Sequence, residues 1–291
     1  MSSGKYCKLL KKNKIKKHLK RIPLDSGEKI KDNHQDKIDF SVSHGRLRSG
    51  KKESRGFEKM SLREERAARL READLYPVIT SGFTAGRSVL EVLDAVGQGG
   101  AKIVQLREKG LPDRDLCALA LQFRKLCDRY GMLMIMNDHV DIAAYCRADG
   151  VHLGQSDLPT EAARFISPDL LIGRSTHSTA QALEAEAAGA DYVNLGPLFP
   201  TGTKQTPVRP LGTDILLKTA PLLHIPFSVM GGIKKHHIPS LLESGARLIA
   251  MVTEITEAPD IEQRTRDLRS LWIRSSVLPP PAPSSPCPLS E

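Results

Sequence analysis

Ala190-Asp191-Tyr192-Val193-Asn194-Leu195-Gly196-Pro197-Leu198-Phe199-Pro200-Thr201-Gly202-Thr203-Lys204 runs from a small-residue helix end, through a β-branched and aromatic run, into a loop of Gly, Pro and hydroxyl residues closed by a lysine. A short strand that opens into hydrogen-bond donors and one point charge is suited to holding a phosphate. The segment ahead of it, 179–188, is Ala-rich. Ser178 is placed to cap its start, and Gly189 is placed as the left-handed residue just past its end. The unit is therefore helix, strand, loop.

The same order repeats outward in both directions. Ser61-Leu62-Arg63-Glu64 reads as a capping box opening a helix to about Ala73. Leu75-Tyr76-Pro77-Val78-Ile79-Thr80 is a first strand, with Pro77 expected only near its start or at a bulge. Strands are expected at 101–107, 132–137, 150–153, 170–173, 192–195, 225–230 and 248–252. Helices are expected near 86–98, 112–130, 139–147, 159–167, 212–221, 235–243 and 260–272. Several strands lack strict alternation, as expected when both faces are buried. Eight βα units in about 200 residues fit a (β/α)8 TIM barrel of the α/β class. A doubly wound sheet is the alternative fold, but G-x-G-x-x-G does not follow the first strand.

Composition agrees with one aliphatic barrel: 40% of the 291 residues are hydrophobic and only 4% aromatic. Residues 1–60 hold 18 of the 43 Lys and Arg but 7 of the 34 Asp and Glu, a net of +11 against −2 for the rest. The basic balance belongs to an extension, and the near-neutral body argues against a nucleic-acid-binding fold. The domain reading is a disordered basic extension over 1–60, a barrel over 61–274 and a disordered Pro/Ser-rich tail over 275–291. Contact of the extension with nucleic acid or an anionic surface stays open, as does a homo-oligomer. The 5 cysteines form no C-x-x-C pair, which suits free thiols in a reducing cytoplasm. No apolar run approaches the roughly 18–20 residues that cross a bilayer, so no membrane partner is expected.

In barrels of this kind the chemistry lies past the carboxyl ends of the strands. The second strand ends in Gln105, Arg107, Glu108 and Lys109. Gln105 and Arg107 alternate onto one face, and the two cations there suit an anion, although a surface cluster with Glu108 would look the same. The third ends in Asn137 and Asp138. The fourth is followed by His152, Gln155 and Asp157. Either aspartate alone could simply cap the next helix. Two carboxylates from adjacent loops beside cations suit Mg2+, which binds through one or two carboxylates plus substrate phosphates. Ser175 and His177 follow the fifth strand without a G-x-S-x-G elbow to frame a hydrolytic pair. Gly231-Gly232 and Val252-Thr253 end the last two strands, where barrels often bind a monophosphate. Two phosphorylated substrates and one metal are implied.

Set in order, Val104-Gln105-Leu106-Arg107-Glu108-Lys109, Asn137-Asp138, Val151-His152-Leu153-Gly154-Gln155 with Asp157, Gly173-Arg174-Ser175-Thr176-His177-Ser178, Gly196–Lys204, Gly231-Gly232-Ile233 and Val252-Thr253 resemble thiamine-phosphate synthase. The resemblance covers about 75–273. It implies a transferase of alkyl or aryl groups in thiamine biosynthesis. Such an enzyme joins 4-amino-2-methyl-5-(diphosphooxymethyl)pyrimidine to (carboxy)hydroxyethylthiazole phosphate through a dissociative step. It further implies catalytic roles for Arg107, Lys109, Ser175 and Lys204. Substrate binding would fall to those four with Gln105, Glu108, Asn137, Thr201, Gly202, Thr203, Gly232, Val252 and Thr253. Asp138 and Asp157 would hold Mg2+. The alternatives are a thiazole tautomerase of the same superfamily acting through His177, or a non-catalytic ligand-binding protein.

Overall fold

The computed structural model describes residues 60–203 and 208–277. Met60 aside, the expected basic extension lies outside the described residues, as do Lys204 and the tail from 278. The chain enters through α1 (Leu62–Arg71), where Ser61 and Glu64 make both bonds of the capping box. Eight parallel strands follow: β1 (Leu75–Ile79), β2 (Ile103–Leu106), β3 (Leu133–Asn137), β4 (Gly150–Leu153), β5 (Leu171–Thr176), β6 (Tyr192–Leu195), β7 (Phe227–Val229) and β8 (Leu248–Met251). They close in sequence order into a barrel, β8 returning to β1. The helices are α2 (Val89–Gln98), α3 (Asp113–Tyr130), α4 (Val140–Tyr145), α5 (Thr160–Ile166), α6 (Thr179–Ala187), α7 (Asp214–Thr219), α8 (Ile238–Glu243), α9 (Thr253–Thr256) and α10 (Ile261–Val277). The (β/α)8 expectation holds, and the doubly wound alternative is excluded by closure.

Three details differ from the sequence reading. Pro77 is the central residue of β1 rather than its start. β1 pairs with β8 through Leu75–Pro77 and with β2 through Val78 and Ile79, so the missing N–H falls where the strand passes from one ladder to the other. β5 extends past Gly173 through Ser175 to Thr176, because these residues pair with Tyr192–Leu195 of β6. The closing helix runs to Val277, three residues beyond the expected barrel boundary at 274.

Period-2 alternation divides each strand between two cores. Outward positions such as Val104, Met134, Met136 and Val193 pack under the helices. Inward positions form a second cluster of Tyr76, Val78, Ile103, Leu133, Ile135, Leu171, Tyr192, Leu248 and Ala250, joined by Leu70 and Ala73 at its amino end. Two residues further along the same inward face come Gln105, Asn137 and Asn194, and Ser175 lies four beyond Leu171, past Gly173. The polar site is thus the next layer above an apolar plug, set there by strand register.

At the opposite end, aspartates just before β1, β4 and β6 each take a strand N–H and an arginine. Asp74 accepts from Leu75 N and pairs with Arg269 at 2.8 Å. Asp191 accepts from Ile172 N and pairs with Arg164 at 2.6 Å and Arg63 at 2.8 Å. Asp149 accepts from Met134 N and pairs with Arg124 at 2.6 Å, with Arg66 Nε 3.4 Å away. Barrels place stability at this end and chemistry at the other.

Candidate active site

A cavity of about 610 Å³ opens at the carboxyl ends of the strands. Of the expected residues, Gln105, Arg107, Lys109, Asn137, Asp138, Asp157, Ser175, Thr201, Thr203, Gly232, Val252 and Thr253 line it. Two others do not. Glu108 is buried beneath the rim, where its carboxylate accepts from Ser81 N at 2.6 Å and Ser81 Oγ at 2.8 Å. It fastens the turn after β1, so the structure gives it a positioning task in place of the expected substrate contact. Gly202 is exposed between two lining threonines.

One side of the cavity is charged. Arg107 has no ion-pair partner among the described residues, whereas Lys109 Nζ lies 3.0 Å from Asp138 Oδ2. Neither aspartate caps a helix: the residues at the starts of α4 and α5 are His139 and Pro159, and neither start carries a side-chain cap bond. Asp138 sits in the left-handed region at φ 62°, its N–H held by the His152 carbonyl at 2.9 Å. Burial raises the Asp138 carboxyl above the ordinary range, and Asp157 hydrogen-bonded to it adds to this, against the pull of Lys109. Burial also acts to raise Asp157, but the hydrogen bond from Asp138, the Gly154 N–H at 2.6 Å, Lys109 and Arg174 outweigh it and hold Asp157 low. The two carboxyls thus face each other with their acidities pushed apart, Asp138 up and Asp157 down. Next to them, Asn137 is buried and its Nδ2 has no hydrogen-bond partner among the described residues. A buried donor left open at a cavity wall is available to an acceptor that enters the cavity.

The other side is built from backbone. Gly231 and Gly232 have φ of 102° and 62°. A Cβ on Gly232 would run into the Pro200 carbonyl and the Phe199 backbone, so only glycine lets the loops after β6 and β7 meet. Leu198 N and Phe199 N donate to the Met230 and Gly231 carbonyls at 2.9 and 3.0 Å. The Phe199 ring stacks on His237 at 3.9 Å. Lys234 follows these glycines, lines the cavity and stands 3.5 Å from Glu254, which Arg264 also binds at 2.6 Å. Lys234 and the Phe199–His237 stack were not foreseen. The lysine directly after Gly231-Gly232-Ile233 was the available signal. His177 also lines the cavity, its Nδ1 hydrogen-bonded to the Gly196 carbonyl, which ties the end of β5 to the loop after β6.

A closed (β/α)8 barrel with a paired-carboxylate and cation cluster facing a glycine-built loop pair defines an enzyme for phosphorylated small molecules. Residues 75–255 match the family model described as thiamine monophosphate synthase. The chain is 42% identical over 206 residues to the thiamine-phosphate synthase of Pelotomaculum thermopropionicum, spanning 70% of this chain and 94% of that protein. It is 39% identical to that of Dictyoglomus turgidum, spanning 71% and 93%. The thiamine phosphate pyrophosphorylase structure from Pyrococcus furiosus superposes with a TM-score of 0.66 at 34% identity, covering 72% of this chain and 98% of the other. The chain belongs to the thiamine monophosphate synthase family and is a transferase of thiamine biosynthesis.

Proposed function

We propose that this chain joins 4-amino-2-methyl-5-(diphosphooxymethyl)pyrimidine to the ring nitrogen of (carboxy)hydroxyethylthiazole phosphate, releasing pyrophosphate. The observation that carries this is the two-sided cavity, with Arg107, Lys109, Asn137 and the aspartate pair on one wall and the Gly231-Gly232 backbone on the other. Gln105, Arg107, Lys109, Asn137 and Ser175, with Lys204 from outside the described residues, take the pyrimidine diphosphate. Thr201 and Thr203 take the thiazole, with Gly202 between them, and Gly232, Val252 and Thr253 take its phosphate. The methylene C–O bond breaks with its electron pair leaving on the diphosphate, and the thiazole nitrogen lone pair forms the new C–N bond. No protein nucleophile is needed; the work is holding two rings in line and receiving charge on the leaving group.

The donor set fits a hard divalent cation. Two carboxyls that face each other at the cavity wall, and are used by no helix cap, offer the oxygens that Mg2+ takes alongside substrate phosphate. Asp138 and Asp157 would hold it, and when bound it supplies positive charge to the diphosphate oxygens. Among the described residues no group of three or more His, Cys, Asp or Glu could hold a metal, so the substrate completes the shell in this reading. The free thiols Cys117, Cys127 and Cys146 support a reducing cytoplasm as the setting. No described helix is long and apolar enough to cross a membrane.

The test is direct. Purified chain is incubated with both substrates and Mg2+, and thiamine phosphate is measured with and without EDTA. Product that forms only with Mg2+ is the expected result; turnover that survives chelation removes the metal assignment, and no product under any condition removes the reaction. A second prediction follows from the open amide. Asn137→Ala is expected to raise KM for the pyrimidine diphosphate by about 10–100-fold, the cost of one hydrogen bond to a charged group. Thermal unfolding should scarcely move, because Nδ2 makes no bond among the described residues. A large drop in Tm with unchanged KM would make Asn137 structural.

A further inference from the structure

Five side chains form one hydrogen-bonded line across the barrel interior. Gln105 Nε2 donates to the Tyr76 hydroxyl at 2.8 Å. The Tyr76 and Tyr192 hydroxyls are 3.0 Å apart. The Tyr192 hydroxyl lies 3.1 Å from His152 Nδ1, and His152 Nε2 lies 2.9 Å from Ser175 Oγ. Gln105, His152 and Ser175 line the cavity. The two tyrosines lie beneath it at 1% and 0% exposure. Gly173, paired with Tyr192 in the ladder, leaves room for the ring, since a Cβ there would overlap the phenol carbon.

The line has a direction. Burial raises both phenols far above their ordinary range, so each carries a proton that must be placed inside the protein. Gln105 already donates to Tyr76, so the Tyr76 proton goes to Tyr192. Tyr192 accepts that bond, so its own proton goes to His152 Nδ1. A neutral imidazole with an accepting Nδ1 carries its hydrogen on Nε2 and donates to Ser175 Oγ. The Ser175 hydroxyl proton is then left for the cavity. Were the Gln105 amide turned over, every bond would reverse, and Ser175 would meet the cavity as an acceptor.

We propose that Tyr76 and Tyr192 are positioning residues whose hydrogen-bond direction fixes His152 as the Nε2–H tautomer and presents Ser175 as a donor to an anionic leaving group. The assignment of that anion rests on the reading that Ser175 faces the diphosphate. A donor already polarised by an imidazole N–H on its oxygen is preorganised for developing negative charge.

Two measurements test this on the full chain. Nitrogen NMR of the labelled, ligand-free protein is expected to show His152 protonated on Nε2 only; an Nδ1–H tautomer overturns the proposal. Thiamine-phosphate synthesis is then compared for wild type, Tyr192→Phe, Ser175→Ala and the double variant. Each single change is expected to lower kcat on the order of tenfold or more, with KM for the thiazole phosphate unchanged. The double variant should be no slower than Ser175→Ala, because Tyr192 acts through that residue. Multiplying losses in the double variant overturn the proposal. If Tyr192→Phe does not fold, Tyr76→Phe takes its place in the same cycle with the same expectation. A wild-type chain that makes no thiamine phosphate would instead defeat the functional reading, while the tautomer still decides the hydrogen-bond direction.

Discussion

Exchanging Asp138 for asparagine is expected to lower thiamine-phosphate formation on the order of 100-fold or more at limiting Mg2+, with much of the loss recovered at high Mg2+. The substitution is chosen for its backbone. Asp138 has φ 62°, a left-handed conformation that Asn adopts readily and Ala does not. The bond from its N–H to the His152 carbonyl is untouched. What is lost is one carboxyl of the facing pair, and with it the negative charge that Lys109 now meets. Lys109, now 3.0 Å from Asp138, is released toward the diphosphate, which would tighten that substrate if charge on the anion were all that mattered. A loss despite a freed cation therefore points to the metal. Asp157→Asn is expected to act in the same direction and to keep its acceptor for the Gly154 N–H. Steady-state rates across a Mg2+ titration decide this; both variants within a few-fold of wild type at every concentration would exclude the aspartate pair as ligands.

The strand ends were legible in the sequence because a βα repeat has a fixed polarity. Once 101–107 is a strand, Gln105 and the residues after it must emerge at the mouth. Ser178, Gly189 and the Ser61 capping box were equally legible, since each is a local device whose partners lie within a few residues. The tyrosine line was not. Tyr76 and Tyr192 are 116 residues apart, and their meeting depends on closure of the barrel and on the register that sets Gly173 against Tyr192. Glu108 was misread for a related reason. Strand alternation continues onto Arg107 and Lys109 but turns the intervening carboxylate down toward Ser81, a partner contributed by a different loop. Pro77 misled because the rule against proline in a strand assumes both ladders run along its whole length. Sequence periodicity says which face a side chain takes; it does not say which distant side chain waits there.

Asp149→Asn is expected to destabilise the barrel by about 3 kcal/mol, lowering Tm by roughly 10 °C, while leaving kcat of the folded protein unchanged. Asp149 is buried before β4, where it holds Arg124 at 2.6 Å, faces Arg66 at 3.4 Å and accepts from Met134 N at 2.8 Å. Both arginine side chains are themselves nearly enclosed, 13% and 10% exposed, and the Nε of each has no hydrogen-bond partner among the described residues. Removing the carboxylate charge strands buried cations, the circumstance in which a broken ion pair costs most. The value stays at the low end because Arg124 keeps Asp128 at 2.7 Å and Arg66 keeps the Asp169 carbonyl at 2.7 Å. Asparagine can still accept from Met134 N, so the effect reads the charge and not the strand bond. Calorimetry and activity together make the test discriminating. Asp138 and Asp149 lie only eleven positions apart in the sequence, on either side of α4, yet one variant should lose turnover with Tm intact and the other Tm with turnover intact. If both variants lost both properties together, the division between a catalytic and a stabilising end of this barrel would not hold.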